Sequence, residues 1–191
     1  IKVLPVYPEF PLTFWSFKKI VKATMPPTGL ATVLAMLPED RFEIRNVVDM
    51  NVRPLRDRDI SDSDLIMITS MKIQERSHND VVDRAHYYGK KVVAGGPFVT
   101  TYPERTKADY IVTGEAEITL KPFLEDLLMG ADKGIWTEDN VKGRGVVQLT
   151  RGGKTEITNT PIPRWDLVNL RNYASAAIQF SRGCPFDCDF C

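Results

Sequence analysis

Residues 65–94 read LIMITSMKIQERSHNDVVDRAHYYGKKVVA, and this stretch decides the fold class. Leu65–Thr69 and Lys91–Ala94 are short, apolar and rich in β-branched residues, the pattern of parallel strands buried on both faces. Between them Ile73, Ser77, Val81, Ala85 and Tyr88 recur on one face of a helix that stops at Gly89. Strand, helix and strand in this order form a βαβ unit, which places the two strands side by side and parallel.

The same rhythm extends in both directions. Lys2–Tyr7 and Phe42–Val48 read as earlier strands and Tyr110–Thr113 as a later one. Leu30, Val33, Leu34 and Leu37 make an i, i+3, i+4, i+7 stripe, led in by Pro26-Pro27 and Thr28-Gly29. A third helix is predicted from an N-cap at Thr119 through Leu120, Phe123, Leu124, Leu127 and Leu128 to Gly130, with Pro122 in its first turn. The expected class is α/β: a doubly wound, five-stranded parallel sheet of flavodoxin-like order 2-1-3-4-5.

Two segments stand outside this plan. Pro8–Pro27 is a long connection carrying Phe10, Phe14, Trp15 and Phe17, and connections of that length in α/β domains tend to be functional. It reads either as a surface helix packing its aromatics on the core or as a cap over the strand ends. Beyond Gly130 the alternation is expected to stop. Val146–Leu149 and Thr155–Thr158 flank Arg151-Gly-Gly-Lys154 as a small β-hairpin, and Pro161-Ile-Pro-Arg-Trp165 reads as a linker. The division expected is an α/β domain over 1–130, a hairpin-and-linker extension over 131–175, and the start of another domain over 176–191.

Composition removes several function classes. Lys plus Arg and Asp plus Glu both number 25, so no basic footprint for nucleic acid or an anionic membrane exists. No apolar run approaches the roughly 20 residues of a membrane span. No signal peptide is legible, and a cytoplasmic setting is expected. A strand pattern begins at once at Ile1, so a few preceding residues are expected to be missing.

In an open parallel sheet, ligands bind beyond the carboxyl ends of the strands. Unusual residues gather there: Ser70, Met71 and Gln74 after one strand, Gly95, Gly96 and Pro97 after the next, and Gly114, Glu115 and Glu117 after the last. Glycines at such ends allow close backbone approach and positive φ, although each turn alone is common punctuation. Together they predict a binding cleft. No G-x-G-x-x-G or Walker loop follows the first strand, which disfavours a dinucleotide or nucleoside triphosphate. His78 and His86 are expected to be solvated on the helix that carries them.

All three cysteines lie in the last eight residues, as Cys184-Pro-Phe-Asp-Cys188-Asp-Phe-Cys191. An odd number so tightly packed cannot staple a fold, which favours metal over disulfide. Three thiolates at C-x₃-C-x₂-C spacing can each hold one iron of a [4Fe–4S] cluster and leave the fourth iron open. A zinc site is the alternative, and it would need a fourth ligand that the chain does not offer nearby.

This cysteine spacing, with an aromatic before the third cysteine, resembles the radical S-adenosylmethionine (SAM) enzymes. The α/β unit resembles the cobalamin-binding domain that precedes many of their barrels. Tyr7-Pro8, Thr13-Phe-Trp-Ser16, Pro26-Pro-Thr-Gly-Leu30, Ala94-Gly-Gly-Pro97, Gly114-Glu-Ala-Glu117, Pro161-Ile-Pro-Arg164 and Gln179-Phe-Ser-Arg-Gly-Cys184 are similar to the branch that includes the hopanoid methylases. The resemblance implies a methyltransferase. The open iron would bind SAM, a 5′-deoxyadenosyl radical would activate an unreactive carbon, and methylcobalamin would supply the methyl group. It implies Cys184, Cys188 and Cys191 as cluster ligands, the strand-end residues above as cobalamin contacts, a small-molecule substrate such as a polycyclic lipid, and an electron donor. The catalytic residues stay unassigned. The D-x-H-x-x-G motif of many cobalamin domains is absent, so cobalt would bind without a histidine from below. Two alternatives remain: a cobalamin-dependent radical enzyme that does not methylate, or an α/β interaction module that binds no corrin. The barrel would need about 200 further residues, so these 191 alone are expected to be inactive and their cysteines to hold no cluster.

Overall fold

The computed structural model describes residues 1–11, 23, 25–144 and 155–182. Seven parallel strands form one sheet: β1 (Lys2–Tyr7), β2 (Glu43–Ile44), β3 (Val48–Asp49), β4 (Leu65–Thr69), β5 (Lys91–Gly95), β6 (Tyr110–Val112) and β7 (Gly134–Trp136). The order is β2-β1-β4-β5-β6-β7, with β3 pairing β1 on the side that β2 occupies. Counting β2 and β3 as one interrupted strand recovers the flavodoxin-like order. Among the described residues five α-helices connect them: α1 (Thr28–Leu34), α2 (Asp57–Ser61), α3 (Glu75–Tyr87), α4 (Pro97–Thr101) and α5 (Ala116–Leu128).

The sheet is buried on both faces, as its continuous apolar strands require. Val3, Leu65, Met67, Val93, Tyr110 and Val112 point to one side and pack with Leu30 and Leu34 of α1 and Leu120, Phe123 and Leu124 of α5. Leu4, Val6, Ile66, Ile68, Val92 and Ala94 point to the other and meet Val81, Val82 and Ala85 of α3 and Phe98 and Val99 of α4. Adjacent residues thus go to opposite layers, the period of two that a pleated strand imposes.

Three sequence readings are revised. The strand expected over Phe42–Val48 is split, and Pro5 supplies the reason. Ile1, Val3 and Tyr7 accept through their carbonyls from the N–H groups of Glu43, Arg45 and Met50, so the odd-numbered residues of β1 face β2 and β3. Pro5 belongs to that set and has no N–H to offer, and the pairing lapses opposite it. Second, the α/β alternation does not stop at Gly130. The segment after α5 returns as β7, in register with β6 from Tyr110↔Gly134 to Val112↔Trp136. Trp136 is anchored there by an indole N–H bond of 2.7 Å to Asp126 and by the rings of Phe123 and Tyr110. Hydrogen bonds from Arg144 and Trp136 hold the Asp126 carboxyl down at about 2. Third, α5 begins at Ala116, so Thr119 lies inside it with its hydroxyl donating to the Glu115 carbonyl, and Pro122 falls beyond the first turn.

Of the expected hairpin, residues 145–154 lie outside the described residues, as do Phe14, Trp15, Phe17 and the three cysteines. Thr155 keeps a bridge and Ile157–Asn159 forms a 3₁₀ turn. The linker then packs back: Arg164 donates its N–H to the Ala31 carbonyl, and Val168 and Tyr173 bury against Ala31.

Candidate functional site

The carboxyl edge of the sheet gathers the loops after β1, β4, β5 and β6, and there two cavities lie side by side with four wall residues in common. The inner one is a slot of about 190 Å³ between the sheet, α1 and α5. Its walls include Gly29, Val33, Met67, Thr69, Gly95, Gly96, Pro97, Gly114, Ala116 and Leu120. The outer cavity, about 1000 Å³, shares Gly29, Val33, Gly114 and Ala116 with it and adds Glu115, Glu117, Trp165, the Pro161–Pro163 stretch and residues 177–182. That volume lies at the upper end of the range for small-molecule sites.

Glycine makes the slot possible. Gly96 has φ +89°, outside the range of ordinary L residues, and turns the chain from β5 into α4. Gly29 faces open space, with nothing within 4 Å of the place a Cβ would take. A flat apolar group could therefore slide between α1 and the β5 turn, with a larger polar-edged group seated outside it.

The β4 loop is built differently. Ser70, Gln74 and His78 are all buried. Ser70 Oγ is 2.8 Å from His78 Nδ1, and Thr106 Oγ1 is 2.7 Å from His78 Nε2. The imidazole meets the Phe98 ring edge-on. Burial pushes its pKa down to about 4, so it is neutral near pH 7. Sequence reasoning placed His78 in solvent. The correction is tertiary: α4 and the Thr106 turn cover the helix face on which it sits. Gln74 accepts from the Met71 N–H at 2.8 Å and donates to the Pro8 carbonyl at 2.5 Å, tying the β1 loop to the β4 loop. His86 lies 2.9 Å from Asp109, which precedes β6 at the opposite edge of the sheet.

Asp49, at the end of β3, organises the β1 side. It accepts from the Asn51 backbone and amide at 2.8 Å each and from the Tyr173 hydroxyl at 2.9 Å. Burial and the Asp49 charge push the Tyr173 phenol up, so it stays protonated and donates.

On the β6 side, Glu115 and Glu117 flank the start of α5 and converge on Arg182. Arg182 Nη1 lies 3.3 Å from Glu115, and Arg182 Nη2 contacts Glu117 and the Thr160 hydroxyl. Glu115 also accepts from the Thr155 N–H at 2.7 Å, and Glu117 from the Thr160 hydroxyl at 2.7 Å. Burial raises the Glu117 carboxyl, but hydrogen bonds from Arg182 and Thr160 outweigh it and hold it ionised.

The sequence-predicted site residues thus divide. Gly95, Gly96, Pro97 and Gly114 line the slot, and Gly114, Glu115 and Glu117 line the outer cavity. Ser70, Met71 and Gln74 line neither; Ser70 and Gln74 hold loops together, and Met71 is an exposed side chain whose N–H donates to Gln74. Gly29, Val33, Ala116, Trp165 and Arg182 were missed, although Gly29 carried a signal as a glycine in the first turn of a helix.

Residues 19–124 match the model of the B12 binding domain. The chain belongs to the B12-binding domain family. Over its full length it is 38% identical to an uncharacterized methyltransferase of Synechocystis and 31% identical to the hopanoid C-2 methylase of Rhodopseudomonas palustris. It is also 25% identical, over 91% of its residues, to the anaerobic magnesium-protoporphyrin IX monomethyl ester cyclase of Synechocystis. The resemblance to the branch containing the hopanoid methylases is borne out. The chain spans 34%, 35% and 39% of those relatives' lengths. Among the described residues no helix is long and apolar enough to cross a membrane.

Proposed function

We propose that this chain holds cobalamin for a radical SAM methyltransferase that moves a methyl group from SAM to an unactivated carbon of a small molecule, with a lipid-like substrate favoured by the hopanoid branch. The observation that carries the reading is the glycine-walled slot at the carboxyl edge of β5, adjoining a cavity of about 1000 Å³, in a chain of the B12-binding domain family. The residues present fit such a cofactor. Gly29, with open space where a Cβ would stand, leaves room for a flat ring system between α1 and the sheet, and the outer cavity suits the bulk of a macrocycle. Bound cobalamin would supply a cobalt able to carry the methyl group.

What the protein's own residues would do follows from their placement. Val33, Met67 and Leu120 would bury an apolar edge and exclude water from it. The backbone at Gly95, Gly96 and Gly114 would approach the ligand closely. Neither histidine is in position to ligate cobalt: both ring nitrogens of His78 are engaged in the core, and His86 sits at the far edge of the sheet. Coordination without a histidine is therefore part of the proposal. Cys184, Cys188 and Cys191 would hold a [4Fe–4S] cluster that binds SAM and takes an electron from a donor protein. That assignment rests on spacing alone.

The test is direct. The chain is incubated with hydroxocobalamin, desalted, and its visible spectrum recorded. Retention near one corrin per chain is expected, and an eluate without corrin bands refutes the proposal for this domain. Methylation is separated from a cyclase-type reaction, the alternative that the magnesium-protoporphyrin ester cyclase match brings, by product analysis on the full-length protein.

A further inference from the structure

Residues 174–182 cross the carboxyl edge of the sheet between two anchors. The first is at the β1 side: Tyr173 bridges Ala23, Ala174 donates to the Ala23 carbonyl at 2.8 Å, and the Tyr173 hydroxyl bonds Asp49. The second is at the β6 side, where the Arg182 guanidinium sits between Glu115 and Glu117 with side chains only 15%, 15% and 7% exposed. Between the anchors the segment forms the outer wall of the large cavity. Among the described residues no strand runs through it, and the ion cluster holds its far end.

Arg182 stands two residues before Cys184, and two residues of chain reach at most about 7 Å. We propose that Arg182 is a positioning residue: clamped by Glu115 and Glu117, it ties the cysteine-bearing segment to the β6 edge and so sets where that segment starts relative to the cavity. Three features support a built clamp rather than a chance surface pair. The two carboxylates share one guanidinium, whose planar fork can serve both. Thr160 bonds both Arg182 and Glu117, closing the cluster. Desolvation makes removal of one partner costly, because the others stay buried and charged. This inference rests on the iron–sulfur reading for its purpose, but the clamp itself does not.

Trypsin reads the clamp, because cleavage after Arg182 requires its guanidinium to leave the two carboxylates and enter the protease. In the native chain cleavage at Arg182–Gly183 is expected to be slow. In E115Q/E117Q it should be at least tenfold faster, while the Arg171–Asn172 bond changes less than twofold. Equal rates at Arg182 in the two proteins overturn the clamp. If circular dichroism shows the double variant unfolded, E117Q alone carries the comparison. The positioning role is read in the full-length protein by anaerobic reconstitution with iron and sulfide. R182Q is expected to retain less than a third of the native iron per chain, and R182K more than half. Native iron content in R182Q overturns the role. All of these are measured without cobalamin, so the proposed function stands or falls separately on corrin retention.

Discussion

Replacing His78 with glutamine is expected to remove much of the acid sensitivity of this fold. In the folded chain the imidazole is fully buried between Ser70, Thr106 and Phe98, and its pKa lies at about 4, against 6.5 when exposed. Between those values the unfolded chain takes up a proton that the folded chain refuses, so stability is complete above pH 6.5 and falls as the pH drops towards 4. At 1.36 kcal/mol per unit, going from pH 7 to pH 4.5 costs about 2.5 kcal/mol through this one group. H78Q can keep one hydrogen bond but has nothing to protonate. At pH 7 it should lose about 1–2 kcal/mol, from one bond and the ring contact. Urea unfolding followed by circular dichroism at pH 7 and pH 4.5 measures both proteins. The carboxylates titrate alike in each, so the difference of differences isolates His78. The native protein should lose about 2.5 kcal/mol more than H78Q across this window. Equal losses would refute the buried, neutral assignment. The consequence reaches the site, because the Ser70 carbonyl accepts from the Phe98 N–H and so joins the β4 loop to the start of α4 beside the slot.

Three further outcomes test the geometry. Gly29→Leu should be neutral or slightly stabilising, since glycine is about 1 kcal/mol worse than alanine in a helix and a Cβ there meets nothing. The same change should cut hydroxocobalamin retention at least tenfold, because the side chain enters the mouth of the slot; undiminished retention would place the ligand elsewhere. Gly96→Ala forces an L residue to φ +89° and brings its Cβ onto Thr69 Oγ1, a cost of about 1–3 kcal/mol. A thermal melt should show a fall of about 3–10 °C, and an unchanged midpoint would contradict the turn. Tyr173→Phe leaves the ring in place but takes a donor from buried Asp49, for about 1–3 kcal/mol by urea unfolding; a loss under 0.5 kcal/mol would show the bond to be dispensable.

The α/β class and the edge that carries the site were legible because both depend on local pattern. Leu65–Ile68 and Val92–Ala94 are apolar throughout because they are covered on both faces, and Gly96 and Gly114 mark places where the chain turns with positive φ. Such signals survive in one dimension. The split of the second strand was not readable from residues 42–48, since its cause is Pro5 in a neighbouring strand about 40 residues earlier. β7 was missed because Gly134–Trp136 is three residues long, and its identity as a strand comes from pairing with β6 and from Asp126 holding Trp136.

The residue types at the strand ends, the absence of a histidine in the β1 connection and the spacing of the cysteines were determined by sequence alone, because each is a matter of which residue stands where. Tertiary structure decided what each side chain does. Ser70 and Gln74 look like ligand contacts in sequence, and folding turns them inward, onto His78 and the Pro8 carbonyl. His78 changes from a solvated residue to a neutral core member once α4 covers it. Glu115 and Glu117 become a grip on Arg182, 67 and 65 positions away in the chain. Desolvation and long-range pairing have no trace in local periodicity, which is why the cavity could be anticipated while most of its wall could not.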